Sequence, residues 1–248
     1  MCIRDRHNSP YAFSENRVID GIELEGLEKY YAADGSYLGQ VGSSSEIRVV
    51  NDNTIWVYFS TVRDAYSTGQ SDIALGGGAT IAVNDDLYSL TENNLLANSS
   101  VVYTDMENDI IKPWFSTNLP LSEKVERGMQ VYQQTFTSWT GETFTGYIGG
   151  TSVQGDQPNP DTPWILGSVD VAGSELKIGD ISSWNVTHSG WKVAALVHTH
   201  PSGSDPATFS SADMIVALET YTSNYMMEFD NKNSAYVFSS SKYREACL

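Results

Sequence analysis

The pattern of hydrophobic and polar residues over the first 60 positions predicts short β-hairpins. The segments LEKYY and SYLGQ are rich in aromatic residues and flank the tight-turn pair Asp34-Gly35. The segments EIRVV and TIWVYF are β-branched and aromatic, and the turn-forming run from Asn51 to Asn53 separates them. We therefore predict two hairpins between residues 27 and 59.

The pattern then loosens around the glycine run from Gly76 to Gly78. This run lacks the Lys-Ser/Thr pair of a P-loop and the spacing of a dinucleotide-binding fingerprint. We interpret it as a flexible loop rather than a phosphate-binding site.

A change of pattern near residue 120 predicts a boundary between two parts of the chain. Pro113 and Pro120 bracket the segment WFSTNLP, which we interpret as a connector. The following segment, SEKVERGMQVYQQTF, predicts a helix with Ser122 as its N-cap. Its apolar residues are spaced by four, three and four positions: Val125, Met129, Tyr132 and Phe136.

The segments after this helix predict mainly strands. ETFTGYIGG, WILGSV and WKVAALVHTH have strand composition, and the apolar run of the last predicts a strand buried on both faces. SSADMIVALETYT predicts a helix, and NYMMEF and SAYVFSS predict a closing hairpin. The order of these elements indicates an α+β fold, with a central sheet packed against helices.

Charge and composition exclude several classes of function. The 14 Lys and Arg residues stand against 31 Asp and Glu residues, a net charge of -17 that would repel nucleic acid. No apolar run approaches the roughly 18 residues that would predict a membrane span. Cys2 and Cys247 lie at the two ends of the chain without CxxC spacing, which excludes a cysteine-rich zinc knuckle and an internal disulfide framework.

The first six residues, MCIRDR, lack the apolar core of a secretory signal. They resemble translated sequencing-adapter sequence, so we expect residues 1–6 to be non-native. On that expectation the true start of the chain is missing, and the sequence does not decide between a cytoplasmic and a secreted protein.

The strongest chemical signal is the segment LVHTHPSGSDPATFSSADM, because it contains two of the four histidines. Alternate residues of a strand share a face, so His198 and His200 would present two imidazoles together. Catalytic zinc sites need three protein ligands and an open position for water, and Asp213 is the natural third ligand. The same residues also fit an ordinary helix start at Ser210, capped by its hydroxyl, beside two hydrogen-bonded surface histidines.

The motif HTHP followed by S-x-x-D resembles the metal motif of the JAMM/MPN superfamily of zinc-dependent isopeptidases and peptidases. That family places a glutamate upstream, and Glu142 opens ETFTGYIGG, which is similar to the family's glycine-ended first core strand after a helix. The resemblance covers residues 121–240. It is closest to bacterial members with the motif HTHP...FS-x-x-D, some of which occur in polymorphic-toxin or phage-like proteins.

The resemblance implies a role for five residues. His198, His200 and Asp213 would ligate Zn²⁺, Glu142 would bind the metal water as general base, and Ser210 would hydrogen-bond the oxyanion. It also implies a JAMM/MPN-like sheet flanked by helices over residues 121–248, after a hairpin-rich region of unassigned role over residues 7–120.

One departure from the family pattern concerns the loop after His200. Nine residues separate His200 from Ser210 where the common pattern has seven. A longer loop costs little closure entropy, but the extra length leaves open whether Asp213 reaches the metal, with Asp205 as a weaker alternative ligand. His188, before the HTHP strand, is interpreted as a surface residue.

Three functions remain open on sequence alone. The first is a zinc metallopeptidase acting on a peptide or protein with a ubiquitin-like tag, and the second is an enzyme of the same type acting on cell-wall peptides. The third is a catalytically silent MPN-type binding or assembly module within a larger bacterial toxin, phage or surface protein. The sequence leaves the oligomeric state open.

Overall fold

A computed structural model describes most of the chain between residues 27 and 246. The described residues are 27–42, 44–118, 125–155, 169–179, 181–182, 189–200, 223–228, 235–239 and 242–246. They form a mixed α/β structure, consistent with the predicted α+β class. Within these residues, no helix is long and apolar enough to cross a bilayer.

The described residues before position 120 form a four-stranded sheet, a small hairpin and three helices. The strands are β1 (Glu28–Ala32), β2 (Tyr37–Val41), β3 (Ile47–Val50), β4 (Asp72–Gly76), β5 (Ala79–Ala82) and β6 (Ser99–Val102). The helices are α1 (Asn53–Ser67), α2 (Asp85–Ala97) and α3 (Lys112–Asn118), the last preceded by a π-helical turn (Glu107–Ile111). The sheet order is β2-β1-β3-β6, with β1 and β3 parallel.

The later residues form a second, larger sheet. Its strands are β7 (Arg127–Thr137), β8 (Thr143–Gly149), β9 (Val153–Gln154), β12 (Lys192–His200), β13 (Ser223–Glu228), β14 (Ala235–Ser239) and β15 (Lys242–Ala246). The order is β15-β14-β13-β12-β7-β8, and β9 pairs with β7. A separate small hairpin joins β10 (Lys177–Ile178) to β11 (Ile181–Ser182), and a short 3-10 turn (Val171–Gly173) precedes it.

Several strand predictions are confirmed. β1 and β2 form the first hairpin, and Gly35 adopts φ 85° in its turn. β8, β12, β13 and β14 lie where the apolar segments predicted strands. β12 is buried on both faces, since every residue from Ala195 to Thr199 is buried.

Three predictions in the first part of the chain are wrong. TIWVYF is the first half of helix α1, which Asp52 caps by accepting a hydrogen bond from the Thr54 N–H at 2.8 Å. Gly76 is the last residue of β4, and Gly77 and Gly78 form the tight turn of the β4–β5 hairpin rather than a flexible loop. The connector WFSTNLP lies largely within α3.

The helix predicted after Ser122 is also wrong, because its described residues from Arg127 onward form strand β7. The spacing that suggested one helical face arises from a central strand buried on both sides. Met129 and Val131 pack against the π-helical turn and α3, whereas Tyr132 and Phe136 pack in a second cluster on the opposite face.

That second cluster joins the two parts of the chain. It combines Tyr31, Val49 and Val102 from the first sheet with Tyr132 and Phe136 from β7. Tyr103, just after β6, also exchanges two backbone hydrogen bonds with Tyr147 of β8. The parts on either side of residue 120 therefore share one hydrophobic core.

Candidate functional site

His198 lies near the end of β12, in the interior of the second sheet. Its backbone faces Gly128 of β7 on one side and Met226 of β13 on the other. The residue is only 3% exposed. A buried imidazole needs polar partners, because burial without them costs free energy. The first histidine of the motif is therefore an interior group rather than a surface one.

His200 is the last residue of the same strand. It stands opposite Glu228 of β13 in the parallel register. Strand residues two positions apart fall on one face of a sheet. The backbone thus carries both histidine positions at the end of one central strand.

A carboxylate that the sequence analysis did not select lies beside this strand end. Glu126 immediately precedes β7 and comes two residues before Gly128, the partner of His198. In an antiparallel ladder this makes Glu126 the diagonal neighbour of His198, at a Cα separation of about 7 Å. Paired residues and residues two apart share a face, so Glu126 belongs to the His198 face of the sheet.

Hydrogen bonds hold Glu126 at this position. The Val169 N–H donates to the carboxylate Oε2 at 3.1 Å, and the Gly155 N–H donates to the Glu126 carbonyl at 2.9 Å. The next residue, Arg127, donates its N–H to the Thr199 hydroxyl at 3.1 Å, which ties β7 to the strand between the two histidines. The half-buried carboxylate is therefore fixed to the end of β12.

Gly128 allows a second segment to cover this face. A Cβ at Gly128 would lie 2.8 Å from Val171 Cγ2 and 3.2 Å from Val169 Cγ1. Only a residue without a side chain lets these valines pack so closely, and the same approach brings the Val169 N–H to Glu126. The covering segment therefore both shields the strand and orients the carboxylate.

A neutral polar network continues along the same face. The Tyr132 hydroxyl lies 2.7 Å from Gln130 Oε1 and 2.7 Å from the Ser174 carbonyl. Burial raises the pKa of Tyr132 above its usual value, with a smaller contribution from the charge of Glu175. The phenol therefore stays protonated near neutral pH and serves as a hydrogen-bond donor.

Glu142, the predicted general base, is not brought to the histidines. It lies exposed in the β7–β8 turn, where its carbonyl accepts the Ser138 N–H at 2.8 Å. The next residue, Thr143, pairs with Thr137, nine positions along β7 from Gly128. At about 3.3 Å per residue this separation is about 30 Å. The assignment of Glu142 is therefore corrected, because the hairpin places it at the opposite end of the strand.

The remaining predicted site residues lie outside the described residues. These are Ser210 and Asp213, together with the alternatives Asp205 and His188. The helix predicted over SSADMIVALETYT falls in the same range. Among the residues that the structure does describe, no group of three or more His, Cys, Asp or Glu side chains is close enough to hold a metal.

The sequence contained a signal for Glu126 that the helical interpretation obscured. If the segment after Val125 is taken as a strand, Glu126, Gly128 and Gln130 alternate on one face. A glycine inside a strand suggests that another segment approaches closely at that point, and Glu126 lies two positions before this glycine. The spacing of four, three and four favoured a helix and concealed this alternation.

The chain matches no known protein family, no curated protein and no solved structure.

Proposed function

We propose that the chain is a zinc-dependent hydrolase of the JAMM/MPN type that cleaves an amide or isopeptide bond. The observation that supports this most directly is the position of Glu126, a half-buried carboxylate fixed beside the buried His198. An enclosed imidazole and an oriented carboxylate at the end of one sheet are groups that hydrolytic metal sites require.

The donor set fits zinc. His198, His200 and Asp213 would supply two nitrogen ligands and one oxygen ligand, a combination that Zn²⁺ accepts while leaving one position open. Neighbouring strands enclose His198, which would hold its imidazole in a single orientation. A zinc ion bound there would lower the pKa of a coordinated water to about 7.

Glu126 replaces Glu142 as the proposed general base. Its carboxylate would accept the proton of the attacking water and deliver it to the departing nitrogen. The Val169 N–H holds one carboxylate oxygen, so the group keeps a fixed orientation during the transfer. Ser210 would donate a hydrogen bond to the oxygen that becomes negative in the transition state.

The proposed substrate is a peptide or protein, with a ubiquitin-like tag or a cell-wall peptide as the two candidate classes. The net charge of -17 disfavours polyanionic substrates such as nucleic acids. The proposed bond class comes from the resemblance to the JAMM/MPN superfamily.

The proposal is tested by turnover. Zinc-reconstituted protein is incubated with peptide and isopeptide libraries, and cleavage is read by mass spectrometry. We expect cleavage that a chelator stops and that His198→Ala abolishes, with circular dichroism confirming that the variant is folded. A folded, zinc-loaded protein that cleaves neither library would favour the binding-module function.

A further inference from the structure

The end of the β7–β8 hairpin that lies far from His198 carries an exposed array of hydroxyl groups. Thr135 pairs with Thr145 and Thr137 pairs with Thr143 in the antiparallel register, and all four threonines are exposed. Paired residues share a face, with Cβ atoms about 5 Å apart. These four residues, called here the threonine face, form a grid of two rows about 7 Å apart along the strands.

An exposed indole stands at the tip of the same hairpin. Trp139 is 69% exposed, the largest exposed fraction among the large hydrophobic residues that the structure describes. Two hydrogen bonds within the turn hold its backbone. The Gly141 N–H donates to the Ser138 carbonyl at 2.9 Å, and the Glu142 N–H donates to the Ser138 hydroxyl at 3.1 Å. The indole is therefore presented to solvent by a well-defined turn.

Charge distinguishes the partners that this surface can accept. The threonine face carries no formal charge, and the exposed residues Asp34 and Glu142 belong to the turns next to it. Asp34 belongs to the turn whose Gly35 carbonyl accepts the Thr137 N–H at 3.0 Å. A polyanion would be repelled by these carboxylates and by the net charge of -17. An uncharged partner with many hydroxyl groups suits a face whose own groups are uncharged hydroxyls, since each hydroxyl can donate and accept hydrogen bonds.

We propose that the threonine face and Trp139 bind an uncharged polysaccharide chain. A sugar ring offers hydroxyl groups at its edge, which can pair with threonine hydroxyls and carboxylates, and an apolar C–H face, which can stack on an indole. Binding here does not require the proposed hydrolase site, since Thr135 and Thr137 lie seven and nine positions along β7 from Gly128, or about 23 and about 30 Å.

The test is affinity electrophoresis in native gels that contain a dissolved neutral polysaccharide. The strongly acidic chain migrates readily in such gels, so retardation measures binding directly. The probes are mixed-linkage β-glucan, xyloglucan, galactomannan and hydroxyethyl cellulose, with alginate as a polyanionic comparison. The matched control variant is Leu90→Ala, which removes a 66% exposed residue of α2 away from the threonine face.

We expect at least one neutral polysaccharide to retard the wild type and alginate not to do so. Trp139→Ala should weaken binding by about tenfold, because an aromatic stacking contact is lost. A Thr135→Ala/Thr145→Ala variant should also bind more weakly, whereas Leu90→Ala should behave as the wild type. The proposal is overturned if no neutral polysaccharide retards the wild type, or if Trp139→Ala is retarded equally. Flotation with phosphatidylcholine vesicles that depends on Trp139, without retardation in any gel, would assign the tip to a membrane surface instead.

Discussion

Replacing Glu126 and Glu142 separately with glutamine tests which carboxylate is the general base. Our proposal assigns this role to Glu126, whereas the sequence motif suggested Glu142. Glu126→Gln removes the proposed proton acceptor but keeps an amide oxygen that can still accept the Val169 N–H, so the local structure should survive. General-base catalysis contributes about 10²- to 10⁴-fold to a rate, and the expected loss in kcat lies in that range.

Glu142→Gln is the matched control for this experiment. Glu142 lies about 30 Å from His198 by strand register, well beyond the Debye length of about 8 Å at physiological ionic strength. Its charge is therefore screened from the site, and kcat should change by less than about twofold. Initial rates are compared on whichever isopeptide substrate the library yields, with zinc content matched between variants. A large loss in Glu142→Gln together with an active Glu126→Gln would refute the placement of the base beside β12.

Other predictions concern stability and can be measured without a substrate. Phe59→Ala should lower the free energy of unfolding by about 3–5 kcal/mol in urea titrations, because Phe59 is fully buried, whereas the exposed Leu90→Ala should change it by less than about 0.5 kcal/mol. Gly35→Ala should destabilise the protein far more than Gly141→Ala. Both glycines have φ near +85°, but a Cβ at Gly35 would overlap the Thr135 carbonyl oxygen, whereas one at Gly141 would meet open space. Burial raises the pKa of Tyr30 above its ordinary value of 10.0. Since only the unfolded state then ionises, the free energy of unfolding should fall as the pH rises above 10, and Tyr30→Phe should show a smaller fall between about pH 8 and pH 11.

Local sequence patterns predicted the strands that carry a clear turn signal or a continuous apolar run. β1 and β2 flank an Asp-Gly turn, and β12 is a continuous apolar run between two neighbouring strands. In both cases the side-chain pattern and the packing agree. Nothing outside the segment was needed to identify the element.

The same patterns failed where two periodicities coexist. TIWVYF has strand composition, but Trp56, Phe59 and Val62 recur at helical spacing over a longer window and are all buried. β7 shows the opposite case, because its apolar residues do not alternate: Met129 and Val131 are buried on one face, and Tyr132 is buried on the other. Burial on two faces is a tertiary property, and it cannot be read from the segment alone.

The candidate site was predictable only in part for the same reason. The motif identified His198 and His200, because two histidines one residue apart are rare in a chain with only four. The partner carboxylate depended on which strand lies beside β12 and in which register. Register is set by long-range pairing, so Glu126 emerged from the structure and Glu142 did not hold its predicted place.

The most direct test of a zinc site at the end of β12 is the metal content of the purified protein. Elemental mass spectrometry on the wild type, after zinc reconstitution and removal of loose metal, should find about one zinc per chain. A His198→Ala/His200→Ala variant that remains folded should lose it. Absence of stoichiometric zinc from the folded wild type, or equal zinc in the double variant, would contradict the account and leave the histidines as structural residues of the sheet.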